Sequence, residues 1–142
     1  MDEFQVNLSP KEHKRIFKKI LINDDTNCWE WKGSLDQQGY GLLWYKRRTE
    51  RIHRVMYAFF VKPIPRGIEN RKFAQVDHLC RNHACCNPEH LELVAQKINV
   101  LRGDGITARA AKQINCIHGH PLELTRNGKR RWCRACDYAR KK

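Results

Sequence analysis

The sequence predicts an α+β fold: a leading helix, a β-rich centre pinned by a metal ion, and a small second metal-binding module at the C-terminus. Three observations predict it. The 142 residues suit one domain with an appendage. Apolar periodicity changes from helical to strand-like and back along the chain. Cysteine and histidine are interleaved in two separate clusters, which a chain with a modest core can use as staples.

Ser9-Pro10 reads as an N-cap and first helical position, and residues 11–22 then set Ile16, Ile20 and Leu21 on one helical face. Asn23-Asp24-Asp25-Thr26-Asn27 ends that helix. Residues 28–53 have strand texture, punctuated by Gly33, Gly39 and Gly41, with Arg47-Arg48-Thr49 as the expected hairpin turn. A helix follows over 53–61, stopped by Pro63 and Pro65. Residues 74–77 form a strand, 78–90 lack any periodicity, 91–94 alternate as a strand, and 95–102 are helical up to Gly103. The expected boundaries are 1–27 for the lead-in, 28–103 for the central domain, 104–115 for a linker and 116–142 for the basic terminal module.

Lys and Arg number 28 against 15 Asp and Glu, a net charge of +13 that draws a polyanion to the surface by counterion release. No apolar run approaches the ~20 residues of a membrane span. Met1-Asp2-Glu3-Phe4-Gln5 also lacks the basic-then-apolar layout of an export signal. A soluble intracellular protein without a membrane partner is expected. An odd count of seven cysteines argues against a secreted disulfide framework, and their mixing with histidine argues for zinc.

In the unpatterned loop, Cys80, Cys85 and His90 are evenly spaced, and a closed zinc site needs a fourth donor. Cys28 supplies it in this reading, as the only cysteine upstream; Cys86 and His83 compete, and Cys86 is assigned to packing. Zinc would supply the energy that orders the loop. The second set is Cys116, Cys133 and Cys136 with one histidine. His120 is chosen because Gly119 lets the backbone turn, and His118 is the alternative. Arg126, Lys129, Arg130 and Arg131 lie between the halves of that set and suit phosphate contacts.

His78 is then left over, beside Asp77 and with Asn87 and Asn99 downstream. Cys28-Trp-Glu-Trp-Lys-Gly33, Gly39-Tyr-Gly41, His53-Arg54, Val76-Asp77-His78-Leu-Cys80-Arg-Asn82, Ala84-Cys85, Asn87-Pro88-Glu-His90-Leu91 and Asn99-x-x-Arg102 together resemble the HNH and His-Cys-box endonucleases. That is the ββα-metal, or His-Me finger, superfamily of homing and phage nucleases. The trailing Cys116…Gly119-His120…Cys133-x-x-Cys136 resembles the zinc-ribbon-like module of phage members. The resemblance implies His78 as general base, Asn99 as Mg²⁺ ligand and Asn87 as the residue that fixes the imidazole. Asp77 is implied as a second Mg²⁺ ligand, and Cys28, Cys80, Cys85 and His90 as the structural zinc set.

Elementary chemistry agrees. A neutral histidine is a base near neutral pH, and Asp77 and Asn99 offer hard oxygen donors that suit Mg²⁺, or Mn²⁺ in its place, while sulfur holds zinc. Arg54 is the candidate to stabilise the phosphate, with His53 or Arg51 as substitutes. Lys46, Arg47, Arg48 and Arg51 would contact DNA from a β-ribbon. The expected function is Mg²⁺-dependent cleavage of double-stranded DNA, as a nick or double-strand break leaving 5′-phosphate and 3′-hydroxyl, in homing or phage DNA processing. No small-molecule substrate is expected; a monomer is, working in a bacterial or phage-infected cytoplasm. The competing readings are a non-catalytic zinc-stabilised nucleic-acid-binding regulator and an RNA- or ribosome-associated zinc protein; neither has a use for His78 paired with Asn99.

Overall fold

The computed structural model describes residues 3–65 and 74–141. Its elements are short helices and antiparallel hairpins. The chain divides into two compact units, Met1–Asn99 and Val100–Lys142.

The first unit opens with β1 (Glu3–Phe4) and α1 (Pro10–Phe17). Ser9 and Glu12 cap α1 reciprocally, as the Ser9-Pro10 start predicts. The helix is shorter than its sequence suggested. Ile20–Asn23 leaves it to become β2, paired in full register with β3 (Cys28–Trp31). The apolar residues at 16, 20 and 21 fit a helical face and a strand equally, and pairing with the Trp-rich partner decides the matter. The turn between them is built by Asn23, whose Oδ1 accepts from the amides of Asp25 and Thr26.

β4 (Leu42–Tyr45) and β5 (Arg48–Arg51) form the next hairpin. Its turn is Lys46-Arg47, not Arg47-Arg48-Thr49: both turn residues are left-handed, at φ 46° and 65°, and Arg48 already pairs with Tyr45. Helix α2 (Ile52–Phe60) follows directly and buries Ile52, Val55, Met56 and Tyr57 against Trp31, Leu43, Ile64, Val76 and Leu91. β6 (Ile64–Pro65) returns to pair with β1.

β7 (Gln75–His78) and β8 (Leu91–Val94) pair antiparallel, and α3 (Gln96–Arg102) closes this strand–loop–strand–helix order. The intervening loop, which lacks periodicity, is also joined to β3 by backbone hydrogen bonds. Cys85 bridges Glu30, Trp31 donates to the Ala84 carbonyl at 2.9 Å, and Cys86 donates to the Trp29 carbonyl at 2.8 Å. The loop is thereby stitched to β3, the strand that carries Cys28.

In the second unit, residues 104–115 are more than a tether, since Ile106–Lys112 forms α4. β9 (Glu123–Leu124) pairs with β10 (Arg131–Trp132), and α5 (Arg134–Arg140) follows. The division between units falls inside α3 rather than after residue 103.

Candidate active site and metal clusters

The ligand atoms of Cys28, Cys80, Cys85 and His90 all lie within 4.8 Å of one another, and so do those of Cys116, His120, Cys133 and Cys136. A tetrahedral ion with metal–sulfur bonds of about 2.3 Å and metal–nitrogen bonds of about 2.1 Å has edges of roughly 3.6 Å between S and N and 3.8 Å between sulfurs. His90 Nδ1 is 3.6 Å from both Cys28 Sγ and Cys85 Sγ. In the second cluster, His120 Nδ1 is 3.7 Å from Cys116 Sγ and 3.4 Å from Cys136 Sγ, and the two sulfurs are 3.8 Å apart. These edges match those of a zinc tetrahedron, and both clusters could hold that ion.

The electrostatics of the thiols would also suit a bound cation. Burial pushes Cys85 far above its usual value and raises Cys80. At Cys28 burial works the same way but is outweighed by hydrogen bonds from Thr26 and the neighbouring thiols, so its pKa falls. In the second cluster the Cys133 thiol and burial push Cys136 up to about 11. Burial at Cys116 is overcome by backbone amides at 118 and 120, which bring it down to about 7. One thiol of each cluster, Cys28 and Cys116, is lowered beside a raised neighbour, and a shared dication would favour the thiolate at both. Backbone amides reinforce the arrangement, from Asn87 to Cys85 Sγ, His118 to Cys116 Sγ and Cys136 to Cys133 Sγ.

Between His118 and His120 the structure brings only His120 to the sulfurs, through a turn at Gly119 with φ +80°. Cys86 stands apart, fully buried in the core with its Sγ 3.2 Å from the Trp29 carbonyl, and burial pushes its thiol up to about 12.

His78 is buried at the end of β7. Its Nε2 lies 3.0 Å from the carbonyl oxygen of Cys85. A carbonyl only accepts, so Nε2 carries the proton and Nδ1 keeps its lone pair. Cys85 therefore does two things, with its sulfur in the Cys/His cluster and its carbonyl on the imidazole. Asn87 does not hold the imidazole as expected. Its amide donates to the Asn27 carbonyl at 2.7 Å and accepts from Glu89 at 3.0 Å, which joins the loop to the β2–β3 turn. Asp77 is buried with Oδ1 3.4 Å from Arg81 Nη1, and it precedes His78 in a strand where successive side chains leave opposite faces. Asn99 is half-buried on α3.

Three rings that sequence reasoning gave no place in the chemistry, or only a secondary one, surround His78. His53 lies at 4.6 Å between centroids, Tyr40 at 5.8 Å and His83 at 6.0 Å. Tyr40 stacks on His83 at 4.2 Å, and His83 Nδ1 meets the Gln38 carbonyl. Next to Tyr40, Gly41 packs so closely that a Cβ there would sit 2.5 Å from Ile52 and 2.7 Å from Trp31. A tyrosine between two glycines was the available signal. His53 is buried with Nδ1 unpartnered, and burial drives its pKa well down, so it is neutral. Burial also lowers the pKa of His78, against the pull of the Cys85 carbonyl and Asp77.

The cation bordering this group is Arg51, over the Tyr40 ring at 4.0 Å and paired with Asp36 at 2.8 Å. Arg54 is part-buried, its pKa lowered by burial, with Glu50 its charged neighbour. Of the cations expected on DNA, Lys46 and Arg47 are exposed at the hairpin turn, while Arg48 pairs with Glu50 at 2.7 Å. In the second unit Arg126, Lys129 and Arg130 are exposed on the β9–β10 hairpin, and Arg131 donates to the Gln113 carbonyl.

Among the described residues, no helix is long and apolar enough to cross a membrane. Residues 50–101 match the sequence model of the HNH endonuclease family. Protein 2.8 of Escherichia phage T7 is 34% identical over 88 residues, covering 61% of this chain and 55% of that protein. Protein 7.7 of the same phage is 36% identical over 73 residues, covering 51% of this chain and 52% of that protein. A gene 5.3 protein of Enterobacteria phage T3 is 34% identical over 51 residues, covering 36% and 45%. The chain thus spans about half the length of the curated relatives it matches. No solved structure gives a significant match.

Proposed function

From an HNH endonuclease domain carried on residues 50–101, we propose that this chain hydrolyses phosphodiester bonds of DNA with His78 as general base. One observation carries the reading: the contact of His78 Nε2 with the Cys85 carbonyl at 3.0 Å leaves Nδ1 basic. Nδ1 accepts a proton from water, the water oxygen bonds to phosphorus, and the P–O3′ bond breaks. The products are a 5′-phosphate and, once solvent protonates the leaving oxygen, a 3′-hydroxyl. The metal cage beneath the loop fixes Cys85, and through it the imidazole.

Asn99 and Asp77 would hold Mg²⁺, their donors being oxygens with no sulfur among them; Asn99 has the stronger case, because Asp77 already meets Arg81. Bound there, the ion would offset negative charge growing on the phosphate. Arg51, over the Tyr40 ring that faces His78, joins Arg54 as a cation of the protein's own for that charge. Zinc in the two Cys/His clusters is structural, and double-stranded DNA is the partner, held by the exposed cations of both units.

Supercoiled plasmid incubated with the protein and Mg²⁺ tests the reading. Conversion to nicked or linear DNA with 5′-phosphate ends is expected, and no conversion across a range of Mg²⁺ and Mn²⁺ would overturn it.

A further inference from the structure

Trp44 is 61% exposed in the middle of β4, an unusual place for an indole on a chain that buries Trp31. It stands between two hollows of about 200 Å³ each. One is lined by Lys11, Glu12, Arg15, Lys46 and Arg47, the other by Arg15, Lys19, Ser34 and Leu42. Of these cations Arg15 is tied to Trp44 itself, while the Lys46 ammonium lies over the neighbouring Tyr45 ring at 5.3 Å. Arg15 donates to the Trp44 carbonyl at 2.9 Å, fixing its guanidinium beside the indole. Lys46 and Arg47 occupy left-handed positions where Asn-Gly would be unstrained. The single acid, Glu12, spends its carboxylate on Ser9.

An aromatic face flanked by phosphate-binding cations is the chemistry of an unpaired nucleotide: the base stacks and its phosphates meet Arg and Lys. Within a closed duplex, stacked neighbours cover both faces of every base. We propose that Trp44, with Arg15, Lys46 and Arg47, seats an unpaired nucleotide of a DNA strand, so that the preferred substrate has a single-stranded segment beside the cleaved duplex. The substrate preference rests on the nuclease reading; the seat does not. Strand β4 connects the two places, since Leu42, two residues from Trp44, pairs with Arg51, which covers Tyr40 beside His78. Two residues of strand contribute about 7 Å to that path and the cross-strand step about 5 Å more, so a run of several nucleotides, not one, would join the two places.

The test uses the full chain in Mg²⁺-free buffer with a fluorescent thymidine oligonucleotide and a blunt duplex of equal length. Trp44→Ala is expected to weaken the single strand by about 5- to 150-fold, the worth of one base–aromatic stack, and to change duplex affinity less than about twofold. Trp44→Phe should retain most of the affinity. Equal losses on both probes, a loss on the duplex alone, or no loss would overturn the proposal. A wild type that nicks plasmid but shows no Trp44 effect sinks only this inference. A wild type with the Trp44 effect but no cleavage in Mg²⁺ sinks only the nuclease reading.

Discussion

The two Cys/His clusters offer the same donor set, three cysteine sulfurs and one imidazole, but they stand in very different surroundings. The first lies against a core: Cys28 and Cys85 are buried, and β3 is stitched by backbone hydrogen bonds to the loop that carries Cys80, Cys85 and His90. The second has almost no core of its own. Ile114, Ile117 and Leu124 are exposed, and Ala108 is the buried apolar residue among those described in its unit. In the first unit a metal would refine a loop that packing already supports. In the second it would supply the folding energy itself.

The largest expected effect follows from that contrast. Stripping zinc with a strong chelator should unfold the second unit entirely, because apparent zinc-binding energies of about 10–16 kcal/mol are then its folding energy. The first unit should keep its hairpins and α2. Residue-resolved amide spectra check this, and a second unit that stays dispersed without metal would erase the comparison.

Next in size, Cys136→Ser should cost the second unit its cage and its basic hairpin. DNA affinity should fall, and its salt slope should become shallower by about 0.9 for each phosphate the hairpin no longer neutralises. Nicking at saturating DNA should stay within a fewfold of wild type, read by single-turnover kinetics over a salt series.

A smaller effect concerns pH. Burial disfavours the imidazolium of His78, so its folded pKa lies below 6.5. The base is the neutral form, and activity is lost only as pH falls through that lowered value. The acid limb of the single-turnover profile should therefore have its midpoint below pH 6.5; a midpoint above it would mean that His78 is not the titrating base.

The same comparison explains how far the sequence could be read. Ligand spacing is local, so both cages and the choice of His120 over His118 were legible, as were β8 at residues 91–94 and the helix carrying His53. What escaped was decided by distant partners. Ile20 and Leu21 follow a helical pattern and become strand because β3 is there to pair. The turn moved to Lys46-Arg47 because Trp44 and Tyr45 pair with Thr49 and Arg48, a register that spacing alone leaves free. Tyr40 reaches His78 from 38 residues upstream, and beyond the glycines on either side of it nothing local announces that meeting. Asn87 lies in the right segment, yet its amide is spent on Asn27.

His78, held by the Cys85 carbonyl, is the base on which the proposed cleavage depends. The most direct measurement is the single-turnover cleavage rate of prebound DNA in Mg²⁺ for His78→Ala, with zinc content and DNA affinity measured on the same sample. A fall of about 10²- to 10⁴-fold, with two zinc ions and wild-type affinity retained, is the predicted result. Cleavage at the wild-type rate would contradict it.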